Sequence, residues 1–411
     1  MGSLESDRVQ TLSAAPGERA ADETRLVLVL FSLLALGNVD SQVMAPLLPE
    51  IARGLGTPVS WIGRAVSGYA VAAALAALVA GPLSDRLGRR RFLAGAAATL
   101  GLGSAVSAVT TSFTGFALAR AATGAGAGVI SALSIAAIAD LVPYERRGRS
   151  MGWVATAYTA APVFGVPIAT WVAESLGWRA NYVAFAAAGA FLGLAVQAWL
   201  REGSPSAGSE ARSRRYLSFF ASRATALGAL SAFFITGGVT GFLLFLGAYL
   251  QRSLGLTLGQ VGMVFLGSGV ASLAGGLGAG RLCDRVGKTK VVLGGCLSLA
   301  VCLLLVPQFE GPLLYATLGL IGVAVAARLA PLQSIVTELV PPESRGAYVA
   351  LRNTVSQAGN AVAAIGAAAL YERGFEYVCY MAAAFSFAAF LMLFWIEEPH
   401  LRPREGYGQA R

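Results

Sequence analysis

Residues 81–92 read Gly81-Pro82-Leu83-Ser84-Asp85-Arg86-Leu87-Gly88-Arg89-Arg90-Arg91-Phe92. A glycine stands four residues before an aspartate, an arginine follows that aspartate, and Gly88 interrupts the helical pattern ahead of three arginines. Apolar runs of membrane-crossing length lie on both sides, so the stretch is a short, very basic connection between two spans. About 199 positions later the pattern returns over residues 280–290, from Gly280 through Asp284, Arg285 and Gly287 to Lys290. A second element repeats at nearly the same offset. Asp140-Leu141-Val142-Pro143, followed by Glu145, Arg147 and Gly148, is matched by Glu338-Leu339-Val340-Pro341, followed by Glu343, Arg345 and Gly346. Two elements repeated at half the chain length indicate two copies of one multi-helix unit.

Composition agrees. The chain has 411 residues, 56% hydrophobic and 13% charged, with a mean hydropathy of +0.65. Soluble domains carry roughly a quarter charged residues, so this is a polytopic α-helical membrane protein. A transmembrane β-barrel needs alternating segments of about ten residues, and the unbroken apolar run 71–80 does not alternate. The net charge of +9 does not indicate nucleic-acid binding, because the basic residues sit in short loops on one side. Cys283, Cys296, Cys302 and Cys379 lack metal-ligand spacing and read as small core residues. The single histidine, His400, follows the last span, and neither a metal site nor a cofactor is expected. Residues 1–24 lack the regions of a signal peptide and read as a disordered tail.

About twelve spans are expected. The first six run over residues 26–49, 61–82, 91–110, 113–138, 150–174 and 177–200, forming an N-terminal bundle over 25–200. The second six run over 221–251, 258–282, 289–308, 311–337, 346–370 and 376–396, forming a C-terminal bundle over 218–398. A Ser/Gly/charge-rich linker occupies 201–217, and a tail occupies 399–411. Arginines and lysines crowd the turns after spans 2, 4 and 8 and the linker, whereas the opposite loops carry scattered charges such as Arg53, Glu174, Glu310 and Glu372. The positive-inside rule then puts both termini in the cytoplasm and the chain, multi-pass, in the cell membrane. Six spans per half give both halves the same orientation, related by an axis along the membrane normal.

Gly81, Leu83, Asp85, Arg86, Gly88, Arg89 and Arg90 form the pattern by which the chain resembles the major facilitator superfamily of transporters. The likeness covers everything after the N-terminal tail. It implies two six-helix bundles around a central cavity, working by alternating access. It also implies a gating role for the loop aspartate, carried by Gly81, Asp85, Arg86, Gly88 and Arg89, and in the second half by Asp284 and Arg285. Arg120, followed by Gly124, Gly126 and Gly128, resembles the span-4 motif of proton-driven drug exporters. The span-5 motif of that group is matched only in part, by Ala161-Pro162-Val163-Phe164-Gly165-Val166-Pro167.

Asp40 lies within span 1. A carboxylate in the bilayer costs ~2.5 kcal/mol or more, so such a residue reads as functional. At 1.5 Å per residue Asp40 stands ~22 Å above the start of its span and Arg120 ~20 Å above the same face. Two readings follow: a proton-coupling pair in which Arg120 tunes Asp40, or a static ion pair pinning spans 1 and 4. Arg328 and Arg352, in spans 10 and 11, lack a carboxylate at matching depth. They either hold an acidic group of the substrate or reach headgroups and helix carbonyls. Arg352, Asn353, Gln357 and Asn360 form a polar stripe at helical spacing. Asn38, Gln42, Tyr69, Tyr158, Phe242, Phe245 and Gln333 complete the candidate substrate contacts, and Gly124, Gly126, Gly128, Gly275, Gly276 and Gly278 suit close helix approach.

No nucleotide-binding or catalytic motif is present, which argues against an enzyme and against ATP-driven transport. The expectation is a secondary transporter, functional as a monomer, that couples protons to export of a hydrophobic or amphipathic small molecule. The alternative is a transporter or facilitator of an anionic solute or lysolipid-like amphiphile using Arg328 and Arg352.

Overall fold

A computed structural model describes residues 16–142, 144–200, 219, 222–341 and 344–396. Thirteen α-helices are described: α1 (Pro16–Leu55), α2 (Val59–Leu87), α3 (Arg89–Val109), α4 (Phe113–Leu141), α5 (Tyr144–Ala160), α6 (Val166–Leu176), α7 (Trp178–Trp199), α8 (Arg223–Arg252), α9 (Leu258–Val286), α10 (Lys288–Leu305), α11 (Gly311–Glu338), α12 (Arg345–Tyr371) and α13 (Phe375–Phe394). The expected linker 201–217, the C-terminal tail and the first fifteen residues of the N-terminal tail lie outside the described residues. Helix α1 begins at Pro16, within the segment assigned to that tail.

Among the described residues ten helices are long and apolar enough to cross a membrane. The other two crossings deviate for identifiable reasons. The fifth was expected as one run over 150–174. Instead α5 and α6 are joined by a π-helical turn, Ala161–Gly165. Pro162 and Pro167 supply no N–H to the helical ladder, and the wider π geometry accommodates the missing bonds. The eleventh, α12, carries Arg345, Arg352, Asn353, Gln357 and Asn360. Its apolarity is diluted by these polar residues, of which Arg352 is buried, Gln357 and Asn360 are half-buried, and Arg345 and Asn353 are exposed.

The turns explain the repeat. Gly88 and Gly287, one in each basic turn, have φ of 97° and 93°, a region only glycine occupies without strain. Each stops its helix identically, Gly88 N bonding Ser84 O and Gly287 N bonding Cys283 O, both at 3.0 Å. At the opposite end Gly56 and Gly255, again about 199 apart, have φ of 62° and 68°. Caps set other starts: Gly115 N donates to Ser112 Oγ, and Thr257 with Gln260 forms a capping box that opens α9.

Packing obeys the same duplication. In the first half α2 packs on α4, α3 on α4 and α7, and α1 on α5 and α7. In the second, α9 packs on α11, α10 on α11 and α13, and α8 on α12 and α13. The halves meet where α2 lies on α12, α6 on α9 and α1 on α8. Glycines set the closest approaches. A Cβ on Gly124 or Gly128 of α4 would stand 2.3 or 2.2 Å from the Tyr69 or Ala73 carbonyl oxygen of α2. In the second half the close approach falls at Gly275 and at Gly322. Gly276 and Gly278 have room around them, so those two do not act as close-packing glycines here.

Candidate functional site

Helices α1 and α4 bring Asp40 and Arg120 together. Arg120 Nη1 donates to Asp40 Oδ1 at 2.9 Å and Nη2 to Oδ2 at 2.6 Å, and both side chains are completely buried. The parallel two-bond geometry is the strong form of the arginine–carboxylate contact. The glycine-mediated approach of α4 to α2 places the Tyr69 ring 5.0 Å from the guanidinium carbon, and Tyr182 of α7 lies 5.3 Å away. The cation thus has a carboxylate and two aromatic rings as neighbours, an arrangement that offsets part of its desolvation. Arg120 Nε and the Tyr182 hydroxyl have no hydrogen-bond partner among the described residues. The pair's hydrogen-bonding capacity is therefore not exhausted.

Among the described residues the second half has no such pair. With Gly56 and Gly255 fixing the register, Asp40 corresponds to Val239, and Arg120 corresponds to Gly319. Its polar groups form a seam between α8, α11 and α12 instead. Thr240 Oγ1 donates to Asn360 Oδ1 at 2.8 Å, Asn360 Nδ2 to Gln357 Oε1 at 2.9 Å, and Ser356 Oγ to Thr236 Oγ1 at 3.0 Å. Arg352 Nη1 donates to Gln333 Oε1 at 2.7 Å and its Nε to Gly228 O at 3.1 Å. Arg328 Nη2 donates to Ile235 O at 3.1 Å, while Nη1 lies 3.8 Å from Cys296 Sγ. Both arginines are buried, and neither forms an ion pair among the described residues. Gly228 and Ile235 are two turns apart on one face of α8, so the two cations clamp that face.

The described contacts between the halves gather at one end of the bundle, opposite the basic turns. Gly247 of α8 abuts the backbone of Ala45 and Pro46 of α1, and Gln251 Nε2 donates to Pro46 O at 2.7 Å. Gly262 of α9 abuts Thr170 of α6, and Gly63 of α2 meets the tip of the Phe245 ring. Arg64 and Glu372 pair at 3.4 Å across the same end. That end is closed.

Comparison with known proteins decides the family. The family model described as Major Facilitator Superfamily matches residues 30–247 and 228–411. The chain belongs to the Major Facilitator Superfamily. It is 27% identical over 348 residues to the uncharacterized MFS-type transporter YceJ of Bacillus subtilis (strain 168), covering 84% of this chain and 88% of that protein. It is 26% identical over 373 residues to the inner membrane transport protein YdhP of Escherichia coli (strain K12), covering 90% and 95%. In structure it is similar to a D-xylose-proton symporter, with TM-score 0.76 at 19% identity over 91% of this chain and 98% of that one. It is also similar to a bacterial homolog of the human lysosomal transporter Spinster, with TM-score 0.73 at 16% identity over 91% and 96%. The chain is a multi-pass membrane protein and a secondary transporter of small molecules, not an enzyme.

Within this superfamily fold the sequence-derived candidates fall into distinct places. Asp40, Arg120 and Tyr69 converge, and Arg328, Arg352, Gln333, Gln357 and Asn360 share the second-half seam. Asn353 is exposed beside it. Asn38 donates to Leu34 O of its own helix at 2.8 Å, and Gln42 is half-buried. Phe242 and Phe245 are buried in the closed end, facing Phe375 at 5.8 Å and stacked on Tyr371 at 4.5 Å. The side chains of Tyr158, Asp85 and Arg86 lie outside the described residues. Of the gating set, Gly88 shapes the first basic turn beside half-buried Arg89, Gly81 lies within α2 in open space, and Asp284 and Arg285 are exposed in the second turn. Sequence reasoning missed Tyr182, Thr236 and Thr240. Tyr182 had a usable signal, since it sits one turn into α7 at about the depth of Arg120 in α4.

Proposed function

We propose that the protein exports hydrophobic or amphipathic small molecules in exchange for protons, with Asp40 as the proton carrier and Arg120 as its paired cation. The supporting observation is the fully buried, doubly hydrogen-bonded Asp40–Arg120 pair, present in one half and without counterpart among the described residues of the other. As a mere pin between α1 and α4 such a pair has little to recommend it, because apolar contacts of similar volume hold helices as well or better. As a switch it has leverage. A proton on Asp40 removes the anion and leaves Arg120 a buried cation without its counter-charge, a state costing several kcal/mol that helix movement relieves. A proton-coupled symporter among the structural neighbours is consistent with coupling in this fold. On this reading the basic turns and both termini face the cytoplasm, the closed end faces outward, and one chain suffices for transport.

The seam of Thr236, Thr240, Ser356, Gln357 and Asn360 would orient neutral polar groups of the cargo. The test uses proteoliposomes holding a pH dye, challenged with lipophilic cations, anions and neutral compounds. Substrate-evoked proton flux that vanishes in Asp40→Asn is expected. Flux unchanged in Asp40→Asn would refute the coupling role. A second reading, a facilitator of an anionic solute or lysolipid-like amphiphile, draws on the two buried arginines without carboxylates. It requires substrate movement without proton flux that is lost in Arg328→Ala or Arg352→Ala.

A further inference from the structure

A groove of about 680 Å³ runs along the junction of the two halves, between α2 and α12. On α2 it is lined by Arg64, Gly68, Val71 and Leu75, and on α12 by Ile365 and Ala369. The α2 positions follow the three- and four-residue spacing of one helix face, on the far side of the helix from Tyr69, which packs toward α4. On α12 the groove lies off the polar stripe of Asn353, Gln357 and Asn360, on a face where Val362 and Ile365 are about half exposed. An exposed apolar face of a membrane-spanning helix is turned to lipid tails.

The groove has a direction. At its closed-end mouth Arg64 pairs with Glu372 at 3.4 Å, both side chains about half exposed. Trp61 stands beside them, 5.9 Å from the Arg64 guanidinium and stacked edge-on against Phe113, as aromatic side chains do at headgroup level. From Arg64 to Leu75 the groove descends eleven residues, or ~16 Å at 1.5 Å per residue. That is about half of a ~30 Å hydrocarbon core, the depth of one leaflet.

We infer that this groove is a binding site for a phospholipid with a zwitterionic headgroup, drawn from the leaflet at the closed end. One acyl chain would lie along Gly68, Val71, Leu75 and Ile365. The phosphate would meet Arg64 and the ammonium Glu372, so a headgroup carrying both charges matches a mouth carrying both. A chain wedged between α2 and α12 bridges the two halves and favours the conformation closed at this end. The site is separate from Asp40–Arg120 and from Arg328 and Arg352, so it stands or falls independently of proton coupling.

Gly68 supplies a clean probe, because a Cβ there meets nothing within 4 Å, and a large side chain fills the groove without displacing a helix. The full-length protein would be purified in detergent and titrated with dioleoyl phosphatidylethanolamine or dioleoyl phosphatidylglycerol, reading bound lipid by native mass spectrometry. Phosphatidylethanolamine should bind the parent protein. Its apparent affinity should fall about 10-fold or more in Gly68→Phe and in Val71→Trp, and stay unchanged in Gly294→Phe, which alters a lipid-facing glycine of α10 that is equally free of neighbours. Arg64→Gln should weaken binding and abolish preference for phosphatidylethanolamine over phosphatidylglycerol. Equal binding of the two lipids to the parent protein would overturn the proposal. So would undiminished binding to both groove variants, or an equal loss in Gly294→Phe.

Discussion

Gly247→Ala should push the transporter out of the conformation described here. The added Cβ would stand 2.6 Å from Pro46 Cα and 2.9 Å from Ala45 O, where ordinary contact begins at 3.4 Å. Both opposing atoms belong to the main chain of α1, so no rotamer change relieves the clash, and α1 and α8 must separate by on the order of 1 Å. The Gln251–Pro46 hydrogen bond, 2.7 Å long, would then stretch beyond bonding range. Overpacking of this kind costs about 1–3 kcal/mol, and loss of the hydrogen bond adds about 1 kcal/mol. A total of about 2–4 kcal/mol corresponds to a roughly 30- to 700-fold change in the balance between the two access states. That is comparable to the few kcal/mol that separate such states. Spin labels at Arg53 and Ser253, both exposed at the closed end, would report the change as a longer distance population in a variant freed of its four cysteines. Gly267→Ala is the control: a Cβ there has nothing within 4 Å, and it carries the same gain in helix propensity. An unaltered distance distribution in a folded Gly247→Ala protein would refute the reading of α1 and α8 as the contact that closes this end.

Two further outcomes follow from the first half. Asp40→Ala should lower stability by about 3–5 kcal/mol by stranding Arg120, whereas Asp40→Leu combined with Arg120→Leu should lose much less; denaturant unfolding in detergent separates them. Gly128→Leu, whose Cβ would lie 2.2 Å from the Ala73 carbonyl oxygen, should force α2 from α4, displace Tyr69 and lower the melting temperature, while Gly95→Ala, in open space, should leave both stability and transport unchanged.

What could be read from the sequence was what local chemistry decides. The two basic turns were legible because a helix stopped by a glycine at positive φ leaves the same mark at Gly88 and Gly287. The meeting of Asp40 and Arg120 was legible because an ionised group in a bilayer needs a partner, and rise per residue fixes depth. Depth does not fix rotation about a helix axis. Hence Tyr182 went unrecognised as a neighbour of Arg120, and Phe245 could not be placed in the closed end rather than in an open cavity. Arg328 and Arg352 show the same limit. Their depth was readable, but that both donate to carbonyls on one face of α8 depends on how α8, α11 and α12 turn toward one another. The π-helical turn was hidden differently. Pro162 and Pro167 marked an irregularity, but a kink, a break and a π turn all satisfy two prolines five residues apart.

The duplicated architecture carries unduplicated chemistry, and this bears on how coupling could travel. Helix α1 holds Asp40 and, about 9 Å further along at 1.5 Å per residue, Pro46, whose backbone meets Gly247 and accepts from Gln251. It also holds Val39, which would collide with a side chain at Gly165 of the π turn. Release of Asp40 from Arg120 would therefore act on a helix already engaged with α8 of the other half. The π turn stands beside it, where a helix can bend at low cost. Gly247 in turn belongs to the helix that bears Thr236 and Thr240. A movement begun at the ion pair can thus reach the seam through two contacts, with no second ion pair needed in the other half. The absence of a carboxylate opposite Arg328 and Arg352 then ceases to be an anomaly. Those cations fix α8 to α11 and α12, so the second half moves as one body when α1 shifts. If they did not, the seam would shear, and a shift of α1 would not reach Asn360.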